Sequence, residues 1–311
     1  MEFACDRVQD ATLARAADWL EMPTREGSKS WLLVDAALVQ RGRLSSLADA
    51  AGFAYVSSLA RSTLAAFSDR APQLLAVRDA AQAMELVRGL MLSDRTAPAF
   101  SFFRSAASIA DLQDLFGNLA LPRVEGGPDM HCRFADTRVL PSLLKTVSPI
   151  QALRVGSLIS EWIWFNRTNE IGRWSVAGGE PLAAYTPDAL ARAELTEQQF
   201  ASMLDAGEAD SIFCALVEKT PEVVPENFRG QFHTILQKHL DAATRRFVVQ
   251  PTDRLQFVVL CLTCGGDFDR RPDLESTWRS IRESKASLSE RMKTWSDELW
   301  NQLQALAEPS Q

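Results

Sequence analysis

The stretch "CRFADTRVLPSLL" (residues 132–144) sets a short apolar run against a helical pattern, with charged residues between them. Cys132 to Ala135 has the composition of a strand end, while Val139, Leu140, Leu143, Leu144 and, just beyond, Val147 recur at the spacing of one helix face. A strand that runs into a helix is a building unit of helix-flanked sheets. Asp136 and Arg138 stand at the junction, where such proteins often place their chemistry. An Asp directly before a helix also accepts hydrogen bonds from the orphan N–H groups of the first turn, which is the commoner reason for finding one there. Read as a cap, Asp136 tolerates Asn, and Ala in its place costs on the order of 1 kcal/mol. Pro141 removes a backbone bond at the fifth helical position, so the regular helix can instead start there.

Outward from the junction, the first half of the chain alternates. Residues 31–36, 53–57, 74–77, 99–103, 131–135 and 158–165 are apolar runs of strand length. Helical patterns lie between several of them, as in 108–119, where Ile109, Leu112, Leu115 and Phe116 recur. Near residue 177 the texture changes. "AGGEPLAAYTPDAL" (177–190) reads as a linker, and beyond it almost everything is helical. Thr186-Pro187 reads as a helix start, Thr196 with Gln199 as a capping box before Phe200, Met203 and Leu204, and Ser287 with Glu290 as another. Residues 226–243 place Phe228, Phe232, Ile235, Leu236 and Ala243 on one stripe. The last helix is expected to align Leu288, Met292, Trp295, Leu299, Leu303 and Leu306. These elements predict an α+β chain in two parts: a mixed sheet flanked by helices over 1–176 and an all-helical domain over 177–311, with the break at about 175–192.

Charge divides the chain at the same place. Residues 1–176 hold 19 basic and 19 acidic residues, and 177–311 hold 14 and 21, so the whole net charge of −7 falls in the second part. Neither part offers the basic patch that nucleic-acid binding needs. No run approaches the roughly 20 apolar residues of a membrane span. The start, MEFACDRVQD, carries charges where a signal peptide needs its apolar stretch, and five Cys without a framework of spacings fit a reducing compartment, so a cytoplasmic location is expected.

Motifs for chemistry are sparse. Cys261 and Cys264 form a C-x-x-C, but only His233 and His239 stand near enough in sequence to complete a zinc site, and both Cys lie in an apolar helical run where thiols act as small hydrophobes. No metal or cofactor is expected, and chelators should leave the fold intact. No G-x-S-x-G, Walker loop or G-x-G-x-x-G occurs, and His131, at the start of an apolar run, reads as structural. No catalytic residue is assigned. In "EWIWFNRTNEIGRW" (161–174), alternation puts Trp162 and Trp164 on one strand face, either buried or available as a partner patch. Trp278, Trp295 and Trp300 pose the same choice in the second part, with Trp295 read as core and Trp300 as the most exposed.

Taken in order, four blocks resemble the Tap-type type VI secretion adaptors, also called effector chaperones. "WLLVDAAL" (31–38) is similar to that family's opening Y-x-L-L-D-A strand. "SLARSTLAAFSDRAPQLLAVRD" (58–79) resembles its A-P-x-L-x-x-L block, "CRFADTRVL" (132–140) its F-R-F-Y-D-P-R-V-L segment, and "LISEWIWFNRTNEIGRW" (158–174) its closing Trp-containing hairpin. Here Thr137 stands where the family has Pro, and Ala135 where it has an aromatic. The resemblance implies that Asp136 is a cap, that Arg138 is its salt-bridge or surface partner, and that the protein is a non-enzymatic adaptor. Such adaptors bind a toxic effector in the bacterial cytoplasm and load it on the VgrG spike. The resemblance stops before residue 177, and with the charge step this leads to the expectation that the helical part selects the cargo. Two other readings stay open: an enzyme with an unfamiliar site, marked by a deep polar pocket, and a stand-alone scaffold or regulator.

Overall fold

The computed structural model describes residues 2–91, 97–127, 130–175 and 194–305. The chain divides into two compact units, Cys5–Gly207 and the residues from Glu208 on together with Glu2–Ala4. The expected linker at 177–190, the helix start at Thr186-Pro187 and the break at 175–192 lie outside the described residues, as does Leu306.

The first unit is built on six strands: β1 (Lys29–Val34), β2 (Tyr55–Ser57), β3 (Gln73–Val77), β4 (Phe100–Ser105), then β6 (Glu161–Phe165) and β7 (Ile171–Ser175). Their order is β2-β3-β1-β4-β6-β7, and every neighbouring pair is antiparallel. Two short strands, β5 (Arg123–Val124) and β8 (Glu194–Leu195), form a separate parallel pair. The mixed sheet expected from the alternation of strands and helices is therefore corrected to an antiparallel one. The reason lies in the crossovers. α2 (Arg43–Ala50) connects β1 to β2, which run the same way, but β3 lies between them; α3 (Ala80–Leu90) connects β3 to β4, also codirectional, but β1 lies between them. Each crossover spans a strand of opposite direction, as in split βαβ arrangements.

Both faces of the sheet are covered, so its strands are apolar almost throughout. Leu32 faces Leu75 and Phe102 across the ladders, Phe102 faces Ile163, and this row is buried with α1 (Asp10–Glu21), α2 and α3. The alternate row, with Trp31, Phe103 and Trp162, is buried with α4 (Ile109–Ala120), α5 (Leu140–Thr146) and α6 (Pro149–Leu158). Trp162 is fully buried, its indole N–H donates to Ser101 Oγ at 3.0 Å, and Trp164 is buried beside it. A partner patch on this strand is thus ruled out by burial: both indoles are core. Opposite Trp164 stands Gly172, where an added Cβ would come within 2.4 Å of the indole ring.

Two local expectations change. Residues 131–135 pair with no strand and form an irregular segment and turn, and the helix behind them begins only at Leu140, with Pro141 in its first turn. The capping box of Thr196 and Gln199 is present, at 3.2 and 2.9 Å, and opens α7 (Glu197–Lys219). Gln199 also donates to Thr146 O at 2.9 Å, and Leu195 is buried, which ties residues 194–207 to the first unit.

The second unit is helical: the end of α7, α8 (Arg229–Arg245), α9 (Pro251–Cys264), α10 (Glu275–Arg282), α11 (Leu288–Met292) and α12 (Asp297–Ala305). Trp278 is buried among Phe257 and Phe268 at 5.9 and 6.0 Å between ring centres, so it too is core and offers a partner nothing. Trp295 is buried, as expected, and donates to Thr277 Oγ1 at 3.1 Å; Trp300 is half-buried against it. The stripe read over 226–243 holds for Phe232, Leu236 and Ala243 but not for Phe228 and Ile235, which are 68% and 44% exposed. Phe228 precedes α8 in a left-handed conformation, φ 58°, which turns it off the helix face. The single final helix is two, α11 and α12, broken at residues 293–296. The α11 start has its Ser287–Glu290 capping box, and the buried carboxylate of Asp253 also accepts from Leu288 N at 2.8 Å. From residue 208 on the chain holds 13 basic and 16 acidic residues, a net of −3, and 177–207 hold one and five, a net of −4, so the acidic excess is shared between the helical unit and the residues before it.

Candidate functional site

Asp35 directly follows the C-terminal end of β1, a central strand, and is almost fully buried. Its Oδ1 accepts from Ala37 N at 3.0 Å, and its Oδ2 accepts from Arg133 Nη2 at 2.8 Å. Burial pushes the Asp35 carboxyl above its ordinary value, against the lowering effect of the Arg133 guanidinium. The same Arg133 nitrogen lies 3.8 Å from Asp136 Oδ2. Asp136 is 1% exposed, and it is not a helix cap. Its Oδ1 accepts from Arg138 N at 3.0 Å and Arg138 Nε at 2.9 Å, and its Oδ2 from Arg138 Nη2 at 2.5 Å. The bond to its own i+2 amide is an Asx turn, and the bidentate pair with Arg138 fixes it. The carbonyl of Asp136, not its carboxylate, accepts from Val139 N and Leu140 N. Four charges, Asp35, Arg133, Asp136 and Arg138, are thus brought together and largely saturate one another. In such a cluster each carboxylate is held in place by hydrogen-bonded cations, an arrangement that suits architecture more than proton transfer.

Over this cluster opens a cleft of about 330 Å3. Its floor is apolar, with Leu59, Ala71, Ala120 and Phe134 all buried. At the mouth stand Phe67, Arg70 and His131, all exposed, and the partly exposed Arg133. Cys132 lines it too, but burial raises its thiol to about 12, which removes it as a nucleophile. Cys261 and Cys264 are buried in α9, and Cys261 is likewise pushed to about 12 by burial. Among the described residues no group of three His, Cys, Asp or Glu is placed to hold a metal ion, and no helix is long and apolar enough to cross a membrane. The sequence reading brought out Asp136 and Arg138 but missed Asp35, Arg133 and the cleft. The available signal was Arg133 itself, a cation interrupting the apolar run "HCRFA".

Three separated segments meet here: the end of β1, residues 59–72, and residues 131–135. All three lie in a stretch that a family describes. Residues 30–154 match the family "Domain of unknown function (DUF4123)". The DUF4123 match takes in β1 through most of α6 and all of the cleft, but ends before β6, β7 and the helical unit. No curated protein and no solved structure matches the chain.

Proposed function

We propose that this chain is a non-enzymatic adaptor that binds a secreted effector protein in the bacterial cytoplasm and delivers it to the VgrG spike of a type VI secretion system. The observation that carries this reading is convergence. Three of the four blocks that resemble the Tap-type adaptors, 31–38, 58–79 and 132–140, supply the buried charge cluster and the cleft above it. Blocks that are far apart in sequence and meet in space make one functional unit, and the DUF4123 match covers that unit. The chemistry of the unit favours recognition: its carboxylates are engaged, its thiol is protonated, and its open surface is apolar with cations at the rim. Charge argues less strongly that the helical unit selects cargo, since the acidic excess is shared with residues 177–207 before it.

The test is co-expression of the full chain with the effector and spike proteins encoded beside its gene. A complex that contains effector, adaptor and VgrG is expected, together with loss of effector export when the gene is deleted. Failure to capture either protein, with the chain folded, overturns the reading.

A further inference from the structure

The cleft has a shape and a charge arrangement that say what occupies it. We propose that the cleft bounded by residues 59–72 and 131–135 docks an extended segment of a partner protein in which a large apolar side chain is followed closely by one or two carboxylates. The proposal deepens the adaptor reading and rests on it for the claim that the occupant is a protein.

Size is the first argument. At about 330 Å3 the cleft is at the small end of ligand sites, which suits one anchoring side chain and its neighbour more than a cofactor. Its floor is made of side chains already buried in the fold, so the apolar surface is preformed. Phe67 extends that surface outward: it ends a short 3-10 turn, Ala65–Phe67, and is 62% exposed, although its neighbours Leu64 and Ala71 pack into the cleft. An exposed aromatic beside a preformed apolar hollow has the character of a docking anchor.

Charge is the second argument, and it chooses the partner. Among the described residues of the lining the one carboxylate, Asp35, is buried and already bonded to Arg133. That pairing leaves the sign of the mouth to Arg70, with His131 adding a further donor. A segment with carboxylates beside its apolar anchor gains at both ends, and one with Lys or Arg there is repelled. Since Arg70 is exposed, its charge sets specificity and encounter rate more than affinity, which comes from the desolvated anchor.

The experiment pans a phage-displayed random dodecapeptide library on the full chain. Enriched peptides are then measured by fluorescence polarisation against the wild type, Phe67→Ser and Arg70→Glu. Both substitutions are at exposed positions, and circular dichroism checks that each variant is folded. The expected result is a consensus of a large apolar residue with Asp or Glu within three positions, bound at least tenfold more weakly by both variants. Arg70→Glu should also shift preference toward peptides with Lys or Arg. A basic or charge-free consensus, no enrichment, or binding that neither substitution changes overturns the proposal. So does a concentration-dependent dimer lost in Phe67→Ser, which would make a second copy the occupant. If the peptides behave as expected but the effector and spike of the neighbouring genes are not captured, the cleft stands and the adaptor reading falls.

Discussion

Asp136 is held by its neighbours so completely that substitution there should show what it does. Asp136→Ala removes the buried carboxylate that accepts the bidentate pair from Arg138, a change that costs about 3 kcal/mol. Asp136→Asn keeps one oxygen for the Asx turn but loses the charge, and about 2 kcal/mol is expected. A cap would have been indifferent to Asn, so chemical denaturation of the two variants separates the accounts directly. Asp35 makes a second prediction, in pH. Its carboxyl is raised above 3.8 by burial, so the ionised form weighs against the fold and protonation relieves it. Relative to Asp35→Asn, the wild type should therefore gain stability as pH falls through the raised value, and the gain should be complete below 3.8. Paired thermal melts from pH 7 downward would show the opposite trend if Asp35 were an ordinary salt-bridged carboxylate. The sequence pattern could reveal that 132–144 is a junction because an apolar run meets a helical period there. It could not reveal the role of Asp136, because cap, Asx turn and ion pair all favour Asp at the same place, and the partner that decides among them sits two residues on.

At the scale of elements, the apolar runs that became strands were legible because their period and length left few alternatives. Five of the six, at 31–36, 53–57, 74–77, 99–103 and 158–165, lie on β1, β2, β3, β4 and β6. The run at 131–135 has the same composition, yet its amide at Cys132 donates to Ala120 O at the end of α4 and its remaining backbone turns. Composition reports burial, and burial alone does not make a strand. The exposure of Phe228 and Ile235 is the reverse case, in which a good helical stripe is cut by a left-handed residue that the pattern could not indicate. Gly172 tests packing at the edge of the sheet. Gly172→Ala forces the Trp164 ring to move, with a cost of about 2 kcal/mol. Because Trp164 shares its core with Trp162, a blue-to-red shift of tryptophan fluorescence should accompany that loss, and an unchanged spectrum and midpoint would mean that β7 yields instead.

For the molecule as a whole, the distinction that matters is between the part described by the DUF4123 match and the rest. The match holds the cleft but stops before the hairpin of β6 and β7, which the sheet cannot do without. β4 has β1 on one side and β6 on the other, and Arg104 faces Glu161 across that second ladder. Everything from α4 to α6 is made between the two strands. During synthesis the chain must therefore carry β4 with one row of backbone N–H and C=O groups unpaired until residue 165 has emerged, and without Trp162 and Trp164 in the core that they share with Phe103 and Phe116. An open edge of that kind recruits other chains. Ribosome-released fragments ending at residue 154, where the family match ends, should aggregate, while fragments ending at 175 should stay in solution long enough to be measured by light scattering. Long-range pairing of this sort also slows folding. The late hairpin thus sets an order of events: the sheet under the proposed docking cleft is closed by a strand encoded downstream of it, so that cleft is complete only after the residues that line it have been translated.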